Sequence, residues 1–541
     1  MVERVETPHV DVVIVGAGFA GMLAAHNMRK QGHSVQGFEK GADVGGTWYW
    51  NRYPGLRCDV ESVEYSYSWD EELQQDWTWS ERYSAQPEIL SYAQHVADRF
   101  SLRELFSFNT KVVKAVFDND ANQWTVTTDK GDSYTARWVI MATGALSTPK
   151  PIDIPGHESF TGRSLYSTDW PAQPVDFSGK RVAVIGTGST GIQLATEIAK
   201  TAGELYVLQR TPSWTVPAFN RKLSADEVAA VKANYAAERE RKRHSMDGLG
   251  LPGPEKGAFD ATDEERTAYY QYIYENLSPF TYFGSYTDVL VDDAANKTIS
   301  DFLASKVRER VNDPVIAEKL IPKSYPFGTR RTCIDSGYYE IYNQSNVHLV
   351  DLLESPLKRI TPTGFEVSTG STTAETDVDI IVYATGYDAF TGILNEVDLV
   401  GIDGKNLRDV WKEGAKTYLG TMSVGFPNLF LVTGPQSPSV LSNVVVSLEQ
   451  HVEWISDCIE YLTEHGFTRM EATQQAQDEW VAQNNAIGQF TVHRASHSWY
   501  MGDNVAGKPH VVLPALMGVG PFRAACTEVA HDGYRGFALA S

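Results

Sequence analysis

The chain has 541 residues and a formal net charge of −22, and its hydrophobic and aromatic contents are those of a well-packed globular protein. This length predicts two or three domains. Because an acidic surface repels nucleic-acid phosphates and anionic lipids, we expect neither nucleic acid nor a membrane as a partner.

The cysteines and the N-terminus indicate the cellular compartment. The four cysteines lie far apart and form no CxxC pair, which argues against a disulfide framework and is typical of a reducing cytosol. The first apolar run follows no basic segment and is interrupted by glycines, so it is not typical of a signal peptide. No apolar stretch approaches the roughly 18 residues that a membrane-spanning helix needs. We therefore expect a soluble, cytoplasmic protein without an obligate protein partner.

The chain opens with the pattern of a βαβ unit, in which the strand VDVVIV is followed by the turn GAGFAG, a helix and the strand SVQGFEK. Gly16 and Gly18 permit the tight turn and the approach of backbone amides to a pyrophosphate, and Gly21 lets the helix pack on its strand. Glu39 ends the second strand, where a carboxylate accepts hydrogen bonds from a ribose diol and repels a 2′-phosphate. This unit therefore suits FAD or NAD.

A second unit of the same kind follows near residues 180–212, in KRVAVIGTGSTGIQLATEIAKTAGELYVLQRTP. The residues expected to contact its pyrophosphate are Gly186, Gly188, Ser189, Thr190 and Gly191. Its second strand ends in Arg210 and Thr211 rather than in an acid. Because a guanidinium matches a 2′-phosphate, this unit suits NADP(H). The alternative is that Arg210 is only a solvated charge at a strand end.

These patterns predict an α/β fold with two doubly wound, Rossmann-like dinucleotide-binding domains and an inserted helical subdomain. The predicted segments are 1–150 for the first part of the FAD-binding domain, 151–222 for the first part of the NADP-binding domain, 223–329 for the helical insert, 330–384 for the second part of the NADP-binding domain, and 385–541 for the second part of the FAD-binding domain with the substrate-pocket loops. Within the insert, we interpret the basic run ERERKRH as a solvated helix face.

One chain with both nucleotide sites is typical of a flavoprotein that NADPH reduces. Disulfide reductases share this plan but need a redox-active cysteine pair, which this sequence lacks. Oxygen is then the obvious acceptor of the electrons. We find no metal-ligand spacing around His157, His493 or His497, interpret all three as structural, and expect no metal site.

Several longer motifs point to one family. The stretch GGTWYWNRYPGLRCDVES, the linker FTGRSLYSTDWP, and the segments PFGTRRTCIDSGYYEIYNQSNVHLVD, DIIVYATGYDAFTG, GPQSPSVLSN and SWYMGDNVAGKP follow one another in order. Over nearly its whole length the chain resembles the type I Baeyer–Villiger monooxygenases, closest to the phenylacetone and steroid monooxygenase branch. The linker departs from the family fingerprint because Tyr166 stands where the fingerprint has a histidine.

The resemblance implies an NADPH- and O2-dependent monooxygenase that carries FAD. Such an enzyme converts cyclic, aryl or steroid-like ketones to esters or lactones through a C4a-peroxyflavin. A heteroatom oxygenase that acts on sulfur or nitrogen is the alternative within the same plan. A catalytically silent flavoprotein is a third interpretation, which only Tyr166 recommends.

The resemblance also implies the roles of individual residues. Arg331 matches the catalytic arginine, Arg330 a basic position that helps to hold the 2′-phosphate, and Asp59 an aspartate that lies near the arginine and the cofactor. The alternatives are that the arginines pair with surface acids and that Asp59 caps the turn that follows it. The remaining positions are Gly46, Thr47 and Trp48 beside the flavin, Trp499 beside the substrate and the nicotinamide ribose, and Ser439, Val440 and Leu441 in the substrate pocket.

The linker FTGRSLYSTDWP joins the two nucleotide-binding domains. A histidine at its centre has two ring nitrogens and titrates near neutral pH, whereas Tyr166 keeps only a ring and one hydroxyl. We therefore expect this position to serve domain coupling, with the chemistry carried by Arg331 and Asp59.

Overall fold

A computed structural model of the protein describes residues 7–251 and 255–541. Residues 1–6, which begin the segment expected not to be a signal peptide, lie outside the described residues. So do residues 252–254, which belong to the glycine- and proline-rich break of the predicted helical insert.

The secondary structure alternates strands and helices over most of the described chain. The strands are β1 (His9–Val15), β2 (Val35–Phe38), β3 (Phe106–Ser107), β4 (Val112–Asp118), β5 (Gln123–Thr128), β6 (Ser133–Met141), β7 (Arg163–Tyr166), β8 (Arg181–Ile185), β9 (Glu204–Gln209), β10 (Thr215–Pro217), β11 (Cys333–Asp335), β12 (Val347–Asp351), β13 (Leu357–Ile360), β14 (Gly364–Thr369), β15 (Thr372–Asp377), β16 (Ile380–Tyr383), β17 (Asp398–Val400), β18 (Leu429–Leu431), β19 (Arg469–Ala472) and β20 (Phe537–Ala540). The α-helices are α1 (Phe19–Lys30), α2 (Thr47–Trp50), α3 (Glu71–Asp76), α4 (Gln86–Arg99), α5 (Ser189–Ile198), α6 (Ala225–Arg243), α7 (Asp263–Asn276), α8 (Asp293–Arg310), α9 (Pro314–Leu320), α10 (Gly392–Glu396), α11 (Leu407–Val410), α12 (Val444–Glu464), α13 (Gln474–Phe490) and α14 (Val519–His531).

The larger sheet has the strand order β17-β4-β5-β6-β1-β2-β3, and β18 also pairs with β6. Its central strand β1 runs parallel to β2 and β6, with Val12 opposite Val35 on one side and Trp138 on the other. Val12 and Ile14 are fully buried, as a parallel strand covered on both faces requires. Strands β17 and β18 come from the C-terminal third of the chain, so distant segments complete this sheet.

The smaller sheet has the order β12-β9-β8-β16-β7, and all its pairings are parallel. It contains the second glycine turn, between β8 and α5. Strand β16 returns from far along the chain to lie between β7 and β8. The predicted α/β fold with two dinucleotide-binding units is confirmed, whereas the predicted segment boundaries stay a prediction.

Helices α6 to α9 lie in the region predicted as a helical insert, and the basic run at the end of α6 does not point wholly into solvent. Arg239 and Lys242 are only 6% and 8% exposed. The Arg239 guanidinium donates hydrogen bonds to the Val63 carbonyl and to Ser66, and Lys242 pairs with Glu64. The interpretation of this run as a solvated face is therefore wrong for these two residues. They bind α6 to the segment 63–66.

The four cysteines are buried and unpaired, which agrees with the absence of a disulfide framework. Among the described residues, no helix combines the length and the apolar character that crossing a bilayer requires.

Candidate active site

A cavity of about 1600 Å³ opens between the two large sheets. Both glycine turns line it, together with Asp59, Arg331 and Trp499. The cavity is therefore the place where two nucleotides and a substrate would meet, since ligands bind parallel α/β sheets at the carboxyl ends of the strands.

The first glycine turn has the geometry that a pyrophosphate needs. Gly16 has a φ of +103°, and a side chain at Gly21 would come within 1.8 Å of the Gly16 carbonyl oxygen. Gly21 does not line the cavity but packs α1 against β1, whereas Gly16 and Gly18 lie in the cavity wall. Gly46 approaches closely, because a Cβ there would lie 2.9 Å from the Gly18 Cα. This cradle fits the FAD that the sequence predicts.

Glu39 lies at the end of β2 and is 6% exposed. Its two carboxylate oxygens accept hydrogen bonds from the backbone amides of Ala17, at 2.8 Å, and Gly41, at 2.7 Å. Each oxygen retains a lone pair, and the side chain lines the cavity, so the carboxylate can still accept from a ribose diol.

Helix α2 starts at Thr47 and places Trp48 in the cavity wall. The Trp48 indole donates a hydrogen bond of 3.1 Å to the Tyr65 hydroxyl, and the two rings meet edge to face at 5.6 Å. Because Trp48 is 5% exposed, it is a fixed wall rather than a mobile side chain.

The second glycine turn repeats the geometry of the first. Gly186 has a φ of +110°, and a side chain at Gly191 would come within 1.9 Å of the Gly186 carbonyl oxygen. A Cβ at Gly188 would meet no atom within 4 Å, so the missing side chain there leaves room in the cavity. Ser189 and Thr190 begin α5 and line the cavity; the Ser189 hydroxyl lies 3.2 Å from the Cys333 thiol and the Thr190 hydroxyl 3.2 Å from the Tyr53 hydroxyl.

Three cations lie in the cavity wall on the side of the second turn: Lys150, Arg210 and Arg330. None of them forms an ion pair within 4 Å in the described chain, although Asp388 acts on the Lys150 charge and Asp503 on the Arg330 charge from farther away. Burial lowers the pKa of Lys150, and the nearby Arg210 charge lowers it further. Burial and Arg210 likewise lower the pKa of Arg330. Unpaired like charges held together are the arrangement expected for binding a dianionic phosphate.

Arg330 and Thr211, which the sequence predicts near the 2′-phosphate, both line the cavity. The Arg330 guanidinium stacks over the Tyr325 ring at 4.6 Å and donates a 2.7 Å hydrogen bond to the His497 carbonyl, and its Nε has no partner. Thr211 accepts the Thr187 hydroxyl at its carbonyl oxygen, at 2.9 Å. Sequence reasoning missed Lys150. The signal that could have found it is its position between two prolines in the loop that follows β6.

Arg331 and Asp59 form a bidentate ion pair in the cavity wall. The Arg331 Nε donates to one Asp59 oxygen at 2.7 Å and Nη2 donates to the other at 2.8 Å. Burial alone would lower the pKa of Arg331, but the Asp59 carboxylate outweighs it and raises the pKa above its ordinary value. The guanidinium is therefore a permanent cation.

Two further contacts fix the Arg331 guanidinium. Its Nη1 donates a 2.7 Å hydrogen bond to the Val440 carbonyl, and its plane lies over the Phe280 ring at 4.2 Å. Phe280 belongs to a short 3-10 helix, Pro279–Gly284, of the helical region. Asp59 and Val440 take three of the five guanidinium N–H groups, so two remain for other acceptors. Sequence reasoning missed Phe280, because no local pattern predicts which aromatic side chain of a helical insert reaches an arginine.

The predicted pocket residues differ in their placement. Ser439 is 1% exposed with a φ of +27°, and its hydroxyl has no hydrogen-bond partner. Ser439 and Val440 line the cavity, but Leu441 is not among the lining residues. The turn Ser439–Leu441 thus presents two of its three residues to the cavity, and the expectation for Leu441 is not supported by its placement.

Trp499 lines the cavity and packs against Phe390 at 6.1 Å and Tyr500 at 4.5 Å between ring centres. Tyr500 is 1% exposed and interacts with the Arg331 charge. The segment around Trp499 therefore places the Trp499 ring in the cavity wall and the Tyr500 ring near the Arg331–Asp59 pair.

Tyr166 lies outside this cavity, at the end of the edge strand β7. Its ring stacks on Tyr383 of β16 at 5.2 Å, with 12° between the planes. The Tyr166 hydroxyl has no hydrogen-bond partner in the described chain, and the residue is 37% exposed. Within the linker 160–171, the residues that line the cavity are Thr168 and Asp169.

Comparisons with known proteins agree with this geometry. The family model of the pyridine nucleotide-disulphide oxidoreductases matches residues 13–242. The chain is 39% identical over 526 residues to a Baeyer–Villiger monooxygenase of Pseudooceanicola batsensis, covering 97% of this chain and 95% of that protein.

Solved structures match over the same length. An oxidised steroid monooxygenase bound to NADP is 45% identical, with a TM-score of 0.94 over 98% of this chain and 99% of that chain. OTEMO in complex with FAD and NADP is 39% identical, with a TM-score of 0.95 over 99% and 100% of the two chains.

The fold and the cavity define a flavin-dependent oxygenase with two dinucleotide sites, one for FAD and one for NADP. The full-length similarity makes the identification narrower. The chain belongs to the type I Baeyer–Villiger monooxygenases, which use FAD, NADPH and oxygen to convert ketones to esters or lactones.

Proposed function

We propose that this enzyme oxidises uncharged ketones with a cyclic, aryl or steroid-like frame, and that Arg331 and Asp59 carry the chemistry. The observation that supports this most directly is the Arg331–Asp59 pair, which lies partly exposed in the cavity wall with two guanidinium N–H groups left over. The carbonyl oxygen of an uncharged ketone can accept a hydrogen bond from these free N–H groups of Arg331.

The cavity around this pair suits a substrate with few polar groups. Val60, Val440 and Leu448 contribute apolar side chains to the cavity wall. The Val440 carbonyl also accepts a hydrogen bond from Arg331. Such a pocket fixes a ligand by shape and by one polar contact, which favours an apolar ketone over a charged one.

We propose the following division of work. When bound, FAD reduced by NADPH supplies the activated oxygen. The glycine turns at Gly16 and Gly186 hold the two pyrophosphates, and Glu39 selects the flavin nucleotide. Arg210, Arg330 and Lys150 hold the 2′-phosphate. Arg331 stabilises negative charge that develops on oxygen, and Asp59 keeps the guanidinium in position.

Trp48 and Trp499 exclude water from the two sides of the reacting centre in this proposal. Ser439 and Val440 form the part of the wall that selects the substrate. The acidic surface and the reduced, buried cysteines support a cytoplasmic enzyme that works without an obligate protein partner.

The experiment is a screen of cyclic, aryl and steroid ketones with the purified FAD-loaded protein, NADPH and oxygen, with products identified by mass spectrometry. The expected result is an ester or lactone one oxygen atom heavier than the ketone. Sulfide or amine oxidation without turnover of any ketone would overturn the proposal in favour of a heteroatom oxygenase.

A further inference from the structure

A second cluster of chemically reactive side chains lies beside the active-site cavity but does not line it. His497, Asp503 and His510 bring two imidazole nitrogens and a carboxylate oxygen within 4.8 Å of one another. The Nδ1 atoms of His497 and His510 lie 2.6 and 2.8 Å from the same Asp503 oxygen, Oδ2. We call these three residues the metal cluster.

The second oxygen of Asp503 is left over in this arrangement. Asp503 is 14% exposed at its side chain, and its Oδ1 is buried without a hydrogen-bond partner. An unpaired buried carboxylate oxygen costs free energy, and protein structures normally satisfy such atoms. The two imidazoles face Oδ2, and a cation bound between them and the carboxylate would also offset the negative charge on the unpartnered Oδ1.

The ligand set and its geometry favour one class of ion. Tetrahedral zinc binds nitrogen and oxygen at about 2.0–2.2 Å, which places neighbouring ligand atoms about 3.3 Å apart. The two nitrogen–oxygen distances, now 2.6 and 2.8 Å, would therefore widen by about 0.5–0.7 Å. His497 can make this movement because its side chain is 84% exposed, and solvent has open access to the ion. Imidazoles with one carboxylate suit zinc and similar transition metals, whereas Mg²⁺ and Ca²⁺ prefer oxygen ligands alone.

We propose that the metal cluster binds one divalent transition-metal ion of the zinc type, with water in the fourth position. Sequence patterns do not group these residues, because five residues separate His497 from Asp503 and six separate Asp503 from His510, which is no familiar ligand spacing. None of the three lines the cavity, so the ion is structural and takes no part in the oxidation.

The ion would fasten the segment 497–510 at both ends. This segment contains Trp499, and the His497 carbonyl accepts the Arg330 hydrogen bond. Asn504 lies between the ligands and donates a 2.9 Å hydrogen bond to the Tyr387 carbonyl. The metal therefore stiffens the part of the cavity wall that carries Trp499 and the partner of a phosphate-binding arginine.

The direct test is calorimetric titration of the FAD-loaded, chelator-treated protein with Zn²⁺ alone. The expected result is saturable binding of one ion per chain and no saturable heat with Mg²⁺. Since loss of even an outer-shell partner costs about 10–100-fold in metal affinity, we expect His510→Ala and Asp503→Asn to weaken binding at least about tenfold. The matched control is His531→Ala, an exposed histidine at the end of α14, which binds as the unmodified chain does. No saturable binding, or equal affinity in all variants, would overturn the proposal.

A second measurement needs no variant and so does not depend on variants that fold. The unmodified chain is treated with diethyl pyrocarbonate, which acylates accessible histidines, with and without Zn²⁺, and the modified sites are identified by mass spectrometry. We expect Zn²⁺ to protect His497 and His510 severalfold and to leave His531 unprotected. Equal modification of His497 with and without the ion would show that Asp503 only serves as a shared hydrogen-bond acceptor.

Discussion

Arg331 and Asp59 are 272 positions apart in the chain and meet through two parallel hydrogen bonds of 2.7 and 2.8 Å. A bidentate pair of this kind fixes both the position and the plane of the guanidinium. The Phe280 ring lies against one face of the guanidinium at 4.2 Å, so the cation is in place before a substrate arrives.

Replacing Arg331 by alanine should leave FAD bound and abolish most ester formation. The flavin cradle at Gly16 does not depend on Arg331, whereas negative charge developing on oxygen loses its cation. Removing one such donor costs about 10²–10³ in kcat. Flavin absorbance and product analysis with a ketone measure the two effects separately. Arg181→Ala, at an exposed ion pair with Asp379, is the control and should keep full activity. Ketone oxidation at the normal rate in the Arg331 variant would contradict the assignment.

Replacing Asp59 by asparagine should reduce ester formation but leave reduction of the flavin by NADPH near its normal rate. The amide keeps the shape of the carboxylate but places an N–H against the guanidinium and removes the negative charge. Hydrogen bonds to charged groups contribute about 1.5–3 kcal/mol, so the rate of product formation should fall about 10–100-fold. Stopped-flow absorbance of the flavin reports the reduction step. An equal loss in both steps would mean that Asp59 only holds the fold.

Replacing Lys150 by methionine should raise the KM for NADPH about tenfold and leave that for NADH unchanged, because the 2′-phosphate loses one of three cations at a cost of about 1.4 kcal/mol or more. Arg210→Ala should act in the same direction. The double variant should lose less than the sum, since the two side chains act on one phosphate. Lys180→Met, at an exposed lysine before β8, is the control. Equal effects on both coenzymes would show that Lys150 does not contact the 2′-phosphate.

Much of this site could be predicted from the sequence, because its parts are local or lie in motifs. The glycine turns depend on residues within a few positions of one another, and the motif positions of Arg331 and Asp59 place them in one cavity. Phe280 and Lys150 could not be assigned in this way, and Leu441, which the motif assigns to the substrate pocket, does not line the cavity. Each depends on how a segment packs against a distant one, and Arg239 at the end of α6 is buried for the same reason.

Substitutions of the linker residue Tyr166 test whether the missing fingerprint histidine matters for the chemistry. Tyr166→Phe should leave product formation within about twofold, because the hydroxyl makes no hydrogen bond and the ring still stacks on Tyr383. Tyr166→Ala should lower the melting temperature and the fraction of NADPH used productively, since the edge strand loses its ring contact. The measurements are product yield per NADPH consumed and a thermal melt. A large gain in product formation in Tyr166→His would instead identify Tyr166 as the mark of a silenced enzyme.

The protein should lose stability as the pH falls from about 6.5 towards 4 because of two buried histidines. His451 and His493 are 1% and 4% exposed, and burial lowers the pKa of each to about 4. Their ordinary pKa, which they regain on unfolding, is about 6.5, so the unfolded chain binds protons first and its population rises. The stabilisation is complete above pH 6.5 and is lost on the way to pH 4, by up to about 3 kcal/mol for each histidine.

Urea midpoints between pH 7.5 and 5 measure this loss in the unmodified chain and in His451→Gln. The His451 Nδ1 accepts a 3.1 Å hydrogen bond from the Thr433 amide and its ring stacks on Phe522 at 5.3 Å. Glutamine can accept the same hydrogen bond but binds no proton in this range. The variant should therefore be less stable at pH 7.5 and show a shallower pH dependence. His531→Ala, which removes an exposed histidine, should keep the original slope; a His451→Gln slope as steep as the original would mean that other groups cause the acid instability.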